Sequence, residues 1–380
     1  MILDYETLKL IWWALIGILL ICFALTDGFD MGVGILLPLI GHTDEERRIM
    51  LNSVGPHWEG NQTWLVSAAA ALFAAWPLVY AMAFSGFYLA MMITLFALFL
   101  RPVGFDYRSK LESPRWRNSW DWGLFVGSSV PPLIFGIAFG NLFLGVPFHF
   151  DDFMRPYYTG GFIALLNPFS LLAGIISVTM FTMHGAAWLQ LRTVDGLEFR
   201  ARNAARYSAL ALFTLFAVAG ISLYLYIDGY IITAMPDANS SFSPDVKQVA
   251  IQTGAWLNNY QAWPWLMSAP ISGLVGALLV YLFSSNSMPI LAFIASSISL
   301  TGIILTAGVS LFPFIMPSST AINSSLTVWD ATSSMLTLKV MFWVAVIFVP
   351  IILCYSFWTY RKMWQRLDIQ FIRNNEHTTY

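Results

Sequence analysis

The sequence predicts an all-α polytopic membrane protein of about nine transmembrane helices. Three observations carry that expectation: an excess of apolar residues, apolar runs of spanning length, and a one-sided distribution of basic residues. Hydrophobic residues make up 58% of the 380, charged residues only 11%, and the mean hydropathy is +0.67. A soluble domain of this length needs far more charge to cover its surface, so the excess must face lipid. Aromatic residues reach 16%, with 16 Trp, which suits a protein that lines two membrane–water interfaces.

A bilayer core of about 30 Å takes about 20 mostly apolar residues per helix. On that measure spans lie at roughly 9–38, 63–80, 82–101, 122–142, 162–184, 205–226, 264–284, 289–312 and 339–360, and residues 1–380 read as a single integral membrane domain. The first run follows an acidic start, Met1-Ile-Leu-Asp-Tyr-Glu6, and is too long for a signal-peptide core, so it is expected to be retained as a span. Only a tight turn near Trp76-Pro77 parts the second span from the third. Long connectors fall at 39–62, 102–121, 143–161, 185–204, 227–263 and 313–338, and Pro236 to Pro244 reads as an exposed outer loop. A faint echo links Asp27-Gly28-Phe29 to Asp228-Gly229-Tyr230. It is too short to establish a repeat, although two halves of four helices and one extra helix would fit nine spans.

Of the 19 Lys and Arg residues, all but Lys9, Arg155, Lys247 and Lys339 fall on one side of this arrangement. An odd number of spans preserves that partition. The positive-inside rule then sets the N-terminus outside and the C-terminus in the cytoplasm. The net charge of −2 includes no basic patch that would bind nucleic acid. Cys22 and Cys354 lie far apart within apolar runs and read as small buried hydrophobes, neither a disulfide framework nor a metal knuckle.

The most unusual segment is Thr26-Asp-Gly-Phe-Asp-Met-Gly-Val-Gly34, inside an apolar stretch that runs from Ile11 nearly to Pro38. As one helix, about 30 residues cover about 45 Å, which exceeds the bilayer core. The helix must tilt or project, and Asp27 and Asp30 fall in its cytoplasmic half. Three residues apart, they share a helix face. Two ionised carboxylates so close in a low dielectric are unfavourable, so either one holds a proton or both face basic partners. The segment can therefore be a proton-conducting or ion-binding site, or a structural ion pair with Arg101 or Arg48. Gly28, Gly32 and Gly34 would let another helix or a partner subunit approach closely.

Pro56-His57-Trp58-Glu59-Gly60-Asn61-Gln62 stands at the mouth of the second span. His57 and Glu59 can accept a proton from bulk and pass it inward; alternatively, His57 and Trp58 only anchor the helix at headgroup level. Arg101 ends one span and Asp121 opens the next, where a carboxylate complements the helix dipole. Those local roles suffice for the two residues, or they join Asp27 and Asp30 in one network. The histidines are 42, 57, 149, 184 and 377, and only His184 lies at the edge of a span. Membrane b-type haems need intramembrane histidine ligands, often paired, so no haem or metal site is assigned to this chain. A Gly-rich phosphate loop is also missing, which argues against an ATP-driven pump.

Eight blocks of the chain resemble subunit II of the cytochrome bd ubiquinol oxidase family. They are Thr26 to Gly34, Pro56 to Gln62, Phe84 to Tyr88, Arg101 to Lys110, Asn167-Pro-Phe169, Thr306-Ala-Gly308, Phe312 to Ser319 and Leu326 to Ser334. The resemblance implies a bacterial inner-membrane oxidase that oxidises quinol, reduces oxygen to water with protons drawn from the cytoplasm, and generates proton-motive force. It implies a larger subunit I that binds haems b558, b595 and d, and a haem-free subunit II built as two four-helix bundles plus a peripheral helix. A small accessory subunit and a structural quinone are further implications. By position, Glu59 falls where the family has an acid tied to proton supply, more commonly Asp, and Trp64 where oxygen is proposed to enter from lipid. Asp30, Arg101 and Asp121 occupy polar positions of the matching motifs. The rival reading from the residues alone is an ion-coupled secondary transporter with a carboxylate site in the first span. Against it, the acids lie off the midplane and no paired broken helix is evident.

Overall fold

The computed structural model describes residues 4–374. Its first helix, α1 (Tyr5–Ile40), is a single element of 36 residues. Asp4 caps it by accepting from the Thr7 amide at 2.8 Å. At 1.5 Å per residue α1 is about 54 Å long, so it outruns the bilayer core and delivers Asp27 and Asp30 to the half nearer its C-terminal end. A short helix, α2 (Asp44–Val54), follows, started by a reciprocal capping box between Thr43 and Glu46.

α3 (Trp58–Ala75) crosses back and stops before Pro77, whose ring cannot continue the helix. α4 (Pro77–Gly86) leaves at 120° to α3 and packs beside the β-hairpin of β1 (Phe148–Phe150) and β2 (Pro156–Tyr158). The next helix long and apolar enough to span is α5 (Tyr88–Tyr107), several residues later than the predicted 82–101. Hydropathy could not separate them, because Pro77 to Gly86 is as apolar as the spans on either side. The remaining crossings are α6 (Pro114–Leu144), α7 (Pro168–Arg192), α8 (Asp195–Tyr226), α10 (Ser268–Ser285), α11 (Pro289–Leu311) and α12 (Met335–Lys362). Two short helices, α9 (Asn258–Ala262) and α13 (Ile369–Asn374), lie in connectors. α7 begins later than the predicted 162 because Asn167 caps it and Pro168 occupies its first position.

Among the described residues, α1, α3, α5 and α6 pack as one group of four, and α7, α8, α10 and α11 as a second. α1 and α6 lean on α7 to join them. Among the described residues, α12 packs mainly on the edge of α1 and α3, with Tyr360 also meeting Trp188 of α7, and buries little beyond Leu338. Close approach of α1 to α7 depends on glycine: a Cβ on Gly32 would lie 2.8 Å from the Cα of Gly185. The sequence expectation that these glycines admit a neighbouring helix is met at this contact.

The two ends of the bundle differ in chemistry. The basic end is tied by α2: Arg108 and Arg117 reach Asp44 at 2.9 and 2.6 Å, and Arg200 reaches Glu46 at 2.5 Å. At the far end, Lys9 is fully buried and donates to the carbonyls of Ala238, Ser240 and Trp329 at 2.7–3.0 Å. The Pro236 to Pro244 loop is thus partly exposed yet pinned. Lys247 pairs with Asp330 at 2.8 Å with both side chains out of solvent. Another hairpin, β3 (Asp228–Ala234) with β4 (Gln248–Thr253), completes this end, so Asp228 is exposed at the start of β3 and shares no environment with the buried Asp27. Cys22 is half-buried, as a small hydrophobe would be, but Cys354 is exposed on α12, because that helix packs on one edge only.

Candidate functional site

Asp27 and Asp30 lie on the face of α1 that meets α3 and α5, both almost fully withdrawn from solvent. Arg101, near the end of α5, closes a two-pronged pair on Asp27: Nη1 to Oδ2 at 2.9 Å and Nη2 to Oδ1 at 2.5 Å. The planar guanidinium matches the carboxylate geometry and adds direction to the charge pairing. Its carbon lies 5.9 Å from the centre of the Trp58 ring, and Trp58 in turn stacks on Phe105 at 5.2 Å. The two rings cover the pair from the basic end.

Asp30 has no cation of its own. Its Oδ2 accepts from Asn61 Nδ2 at 2.7 Å, and its Oδ1 is buried without a hydrogen-bond partner. Asn61 Oδ1 accepts from the Tyr360 hydroxyl, on α12, at 2.5 Å. His57 stacks on the Tyr360 ring at 4.4 Å, and neither imidazole nitrogen has a partner. His57 lies just ahead of α3; burial first, and the charge of Arg192 second, pull its pKa from the ordinary 6.5 to about 4. The ring is therefore neutral at physiological pH. The cluster as a whole sets two carboxylates against one guanidinium, with a hydrogen-bonded line running Asp30–Asn61–Tyr360.

Asp121 belongs elsewhere. It accepts from Arg47 at 2.7 Å and from Arg108 at 2.5 Å, and no contact joins it to Asp27 or Asp30. Of the two readings for Arg101 and Asp121, the link to the first-span acids is seen for Arg101 alone; Asp121 does not open its helix, because α6 starts at Pro114, and it is instead held by Arg47 and Arg108. The structural ion pair expected for the first span is present at Asp27 with Arg101. Glu59 stands exposed in the first turn of α3, two residues from both His57 and Asn61, and its carboxylate makes no hydrogen bond or ion pair with the described residues. Trp64 is buried further along α3. Asn61 and Tyr360 were not singled out from the sequence. Asn61 stood inside the Pro56 to Gln62 block, whereas Tyr360 is 299 residues away and gave no local signal.

His184 was the one histidine at a predicted span edge; α7 carries it fully buried. Its Nδ1 bonds Ser296 Oγ at 2.7 Å and its Nε2 bonds the Leu25 carbonyl at 3.1 Å. Both nitrogens are spent on the protein, so this residue does not fit an axial haem ligand. His377 lies outside the described residues. Among those described, no three His, Cys, Asp or Glu side chains gather as a metal site would require.

The fold and this cluster define the class: a multi-pass helical membrane protein with a charged and hydrogen-bonded group buried between α1, α3, α5 and α12. Residues 8–363 match the family of cytochrome bd terminal oxidase subunit II. The chain is 55% identical over 378 residues to the cytochrome bd-I ubiquinol oxidase subunit 2 of Escherichia coli strain K12, covering 100% of both. It is 51% identical over 378 residues to the probable cytochrome oxidase subunit 2 of Haemophilus influenzae, again with 100% of both covered. A more distant relative, the cytochrome bd ubiquinol oxidase subunit 2 of Bacillus subtilis, is 31% identical over 94% of this chain and 96% of its own. The solved bd oxidase from Geobacillus thermodenitrificans has the same fold, with a TM-score of 0.68 over 93% of this chain and 98% of the matched one, at 14% identity. The chain belongs to the cytochrome bd terminal oxidase subunit II family and is a subunit of a bd-type ubiquinol oxidase, an oxidoreductase complex. Being a second subunit, it works beside a first, and the rival transporter reading gives way to this one.

Proposed function

We propose that this subunit stabilises its haem-bearing partner and carries protons inward from the basic end of the bundle. The carrying observation is the Asp30–Asn61–Tyr360 line, buried beneath His57 and ending on an acid that lacks a cation. In this reading the basic end faces the cytoplasm of a bacterial inner membrane, in keeping with the positive-inside rule. Glu59 is the outer acceptor, and its exposure suits exchange with bulk water. The Tyr360 hydroxyl and water can relay protons between the surface and Asp30, while the Asn61 amide orients both ends by donating to Asp30 and accepting from Tyr360. Arg101 keeps Asp27 fixed and paired, so that Asp30 alone is left to change state.

The haems of the complex would be held by the first subunit, and they supply the electron transfer to oxygen that consumes these protons. Trp64, buried on α3, is the residue proposed to stand by the oxygen path. A structural quinone in this subunit and a small accessory subunit rest on the family resemblance alone. The test is a complex purified by a tag on this chain and scored by visible absorption and oxygen consumption. Glu59→Gln is expected to slow oxygen reduction several-fold with the haem spectrum intact, less than the about 10²–10⁴-fold typical of a proton-transfer group, because bulk water reaches the same exposed position. Loss of haem or of the partner subunit would place Glu59 among the assembly residues instead. A colourless chain purified without a partner would reject the oxidase role.

A further inference from the structure

A second group of cations at the basic end makes no hydrogen bond or ion pair with the carboxylate cluster among the described residues, although the charge of Arg192 is felt at His57. There, the ends of α7 and α11 and the segment after α12 enclose a groove of about 510 Å³, walled by Leu191, Ile290, Leu291 and Trp364 and carrying Arg192 and Arg366. Among the described residues, no Asp or Glu lines it. Arg192 is only 3% exposed, and its guanidinium is held between Trp188 at 5.2 Å and Trp364 at 5.5 Å. One nitrogen, Nη2, donates to the Met363 carbonyl at 3.0 Å, whereas Nε and Nη1 are buried with no partner. A buried cation with unmade hydrogen bonds is costly unless an anion satisfies it. The first turn of α11 also faces this groove, starting at Pro289 without any side-chain cap. Its free amides and the positive end of the helix dipole favour negative charge.

We propose that this groove binds the phosphate of an anionic phospholipid. Arg192 and the α11 amides hold the phosphate oxygens, Arg366 adds a second cation at the rim, and an acyl chain lies along Leu191, Ile290 and Leu291. The apolar walls and the position at the ends of three membrane-length helices select a lipid over a free phosphate ion, which would leave those walls wet.

Native mass spectrometry of the intact oxidase complex, titrated with phosphatidylglycerol or phosphatidylcholine, tests this. The wild-type complex is expected to retain phosphatidylglycerol in preference to phosphatidylcholine. Arg366→Gln should weaken retention about tenfold, as expected for a lost charge-assisted contact, and Arg192→Gln should abolish it. Tens of millimolar inorganic phosphate should leave the lipid bound. Equal retention of the two lipids, unchanged retention in both variants, or displacement by inorganic phosphate would each overturn the proposal. Should Arg192→Gln fail to assemble, the Arg366→Gln titration decides alone, because that side chain is exposed.

Discussion

Asp27 and Asp30 sit three residues apart on α1, yet Arg101 serves only Asp27. Removing that guanidinium leaves a buried carboxylate uncompensated, which typically costs about 3–5 kcal/mol. Arg101→Leu is therefore expected to lower the unfolding midpoint of the complex sharply, and Arg101→Leu with Asp27→Asn should recover much of the loss; thermal melting of the two variants checks this. His57 sets a pH limit of a different kind. Its folded pKa of about 4 lies below the ordinary 6.5, so the unfolded chain binds the extra proton first. The stability linked to His57 is complete above about pH 6.5 and declines as pH falls toward 4. His57→Phe, which keeps an aromatic ring on Tyr360, should flatten that limb of the stability–pH curve relative to wild type. A curve unchanged by the substitution would mean that His57 already titrates normally in the folded protein.

At the scale of elements, the α1–α7 contact holds the two groups of four together. Gly32 is the tightest point, and a side chain there must push α7 away, at a cost of about 1–3 kcal/mol or more. Gly32→Leu should therefore impair assembly, whereas Gly17→Leu on the same helix should not, since nothing lies within 4 Å of a Cβ at that position. Yields of intact complex for the two variants are a direct comparison. The glycines, and the need of the first-span acids for a basic partner, were legible in the sequence because small residues and intramembrane charges have few other uses; that the partner is Arg101 and not Arg48, and that it serves Asp27, follows from packing. The sharp turn of α4 away from α3 was not legible. Its apolar side chains suit a membrane interior equally well, and only Pro77 marks where the chain turns. Glu59 was legible as an acid, but its exposure follows from which face of α3 meets α1, and that depends on packing.

Over the whole molecule, a basic end held by α2 faces a far end fastened by Lys9 and the Lys247–Asp330 pair. The charge partition read from the sequence maps onto these two ends, because both depend on the same count of crossings. Tyr360 escaped because the fold alone brings the last crossing helix against α3, closing the line from Asn61 to Asp30. That closure joins α1, α3 and α12 into one polar path at the basic end. Steady-state oxygen consumption by the purified complex carrying Asp30→Asn, read beside its haem spectrum, tests the path most directly. The account predicts turnover lowered at least tenfold with haem content and partner subunit retained, the scale expected when a proton-transfer group is lost. Full turnover in a normally assembled Asp30→Asn complex would contradict it.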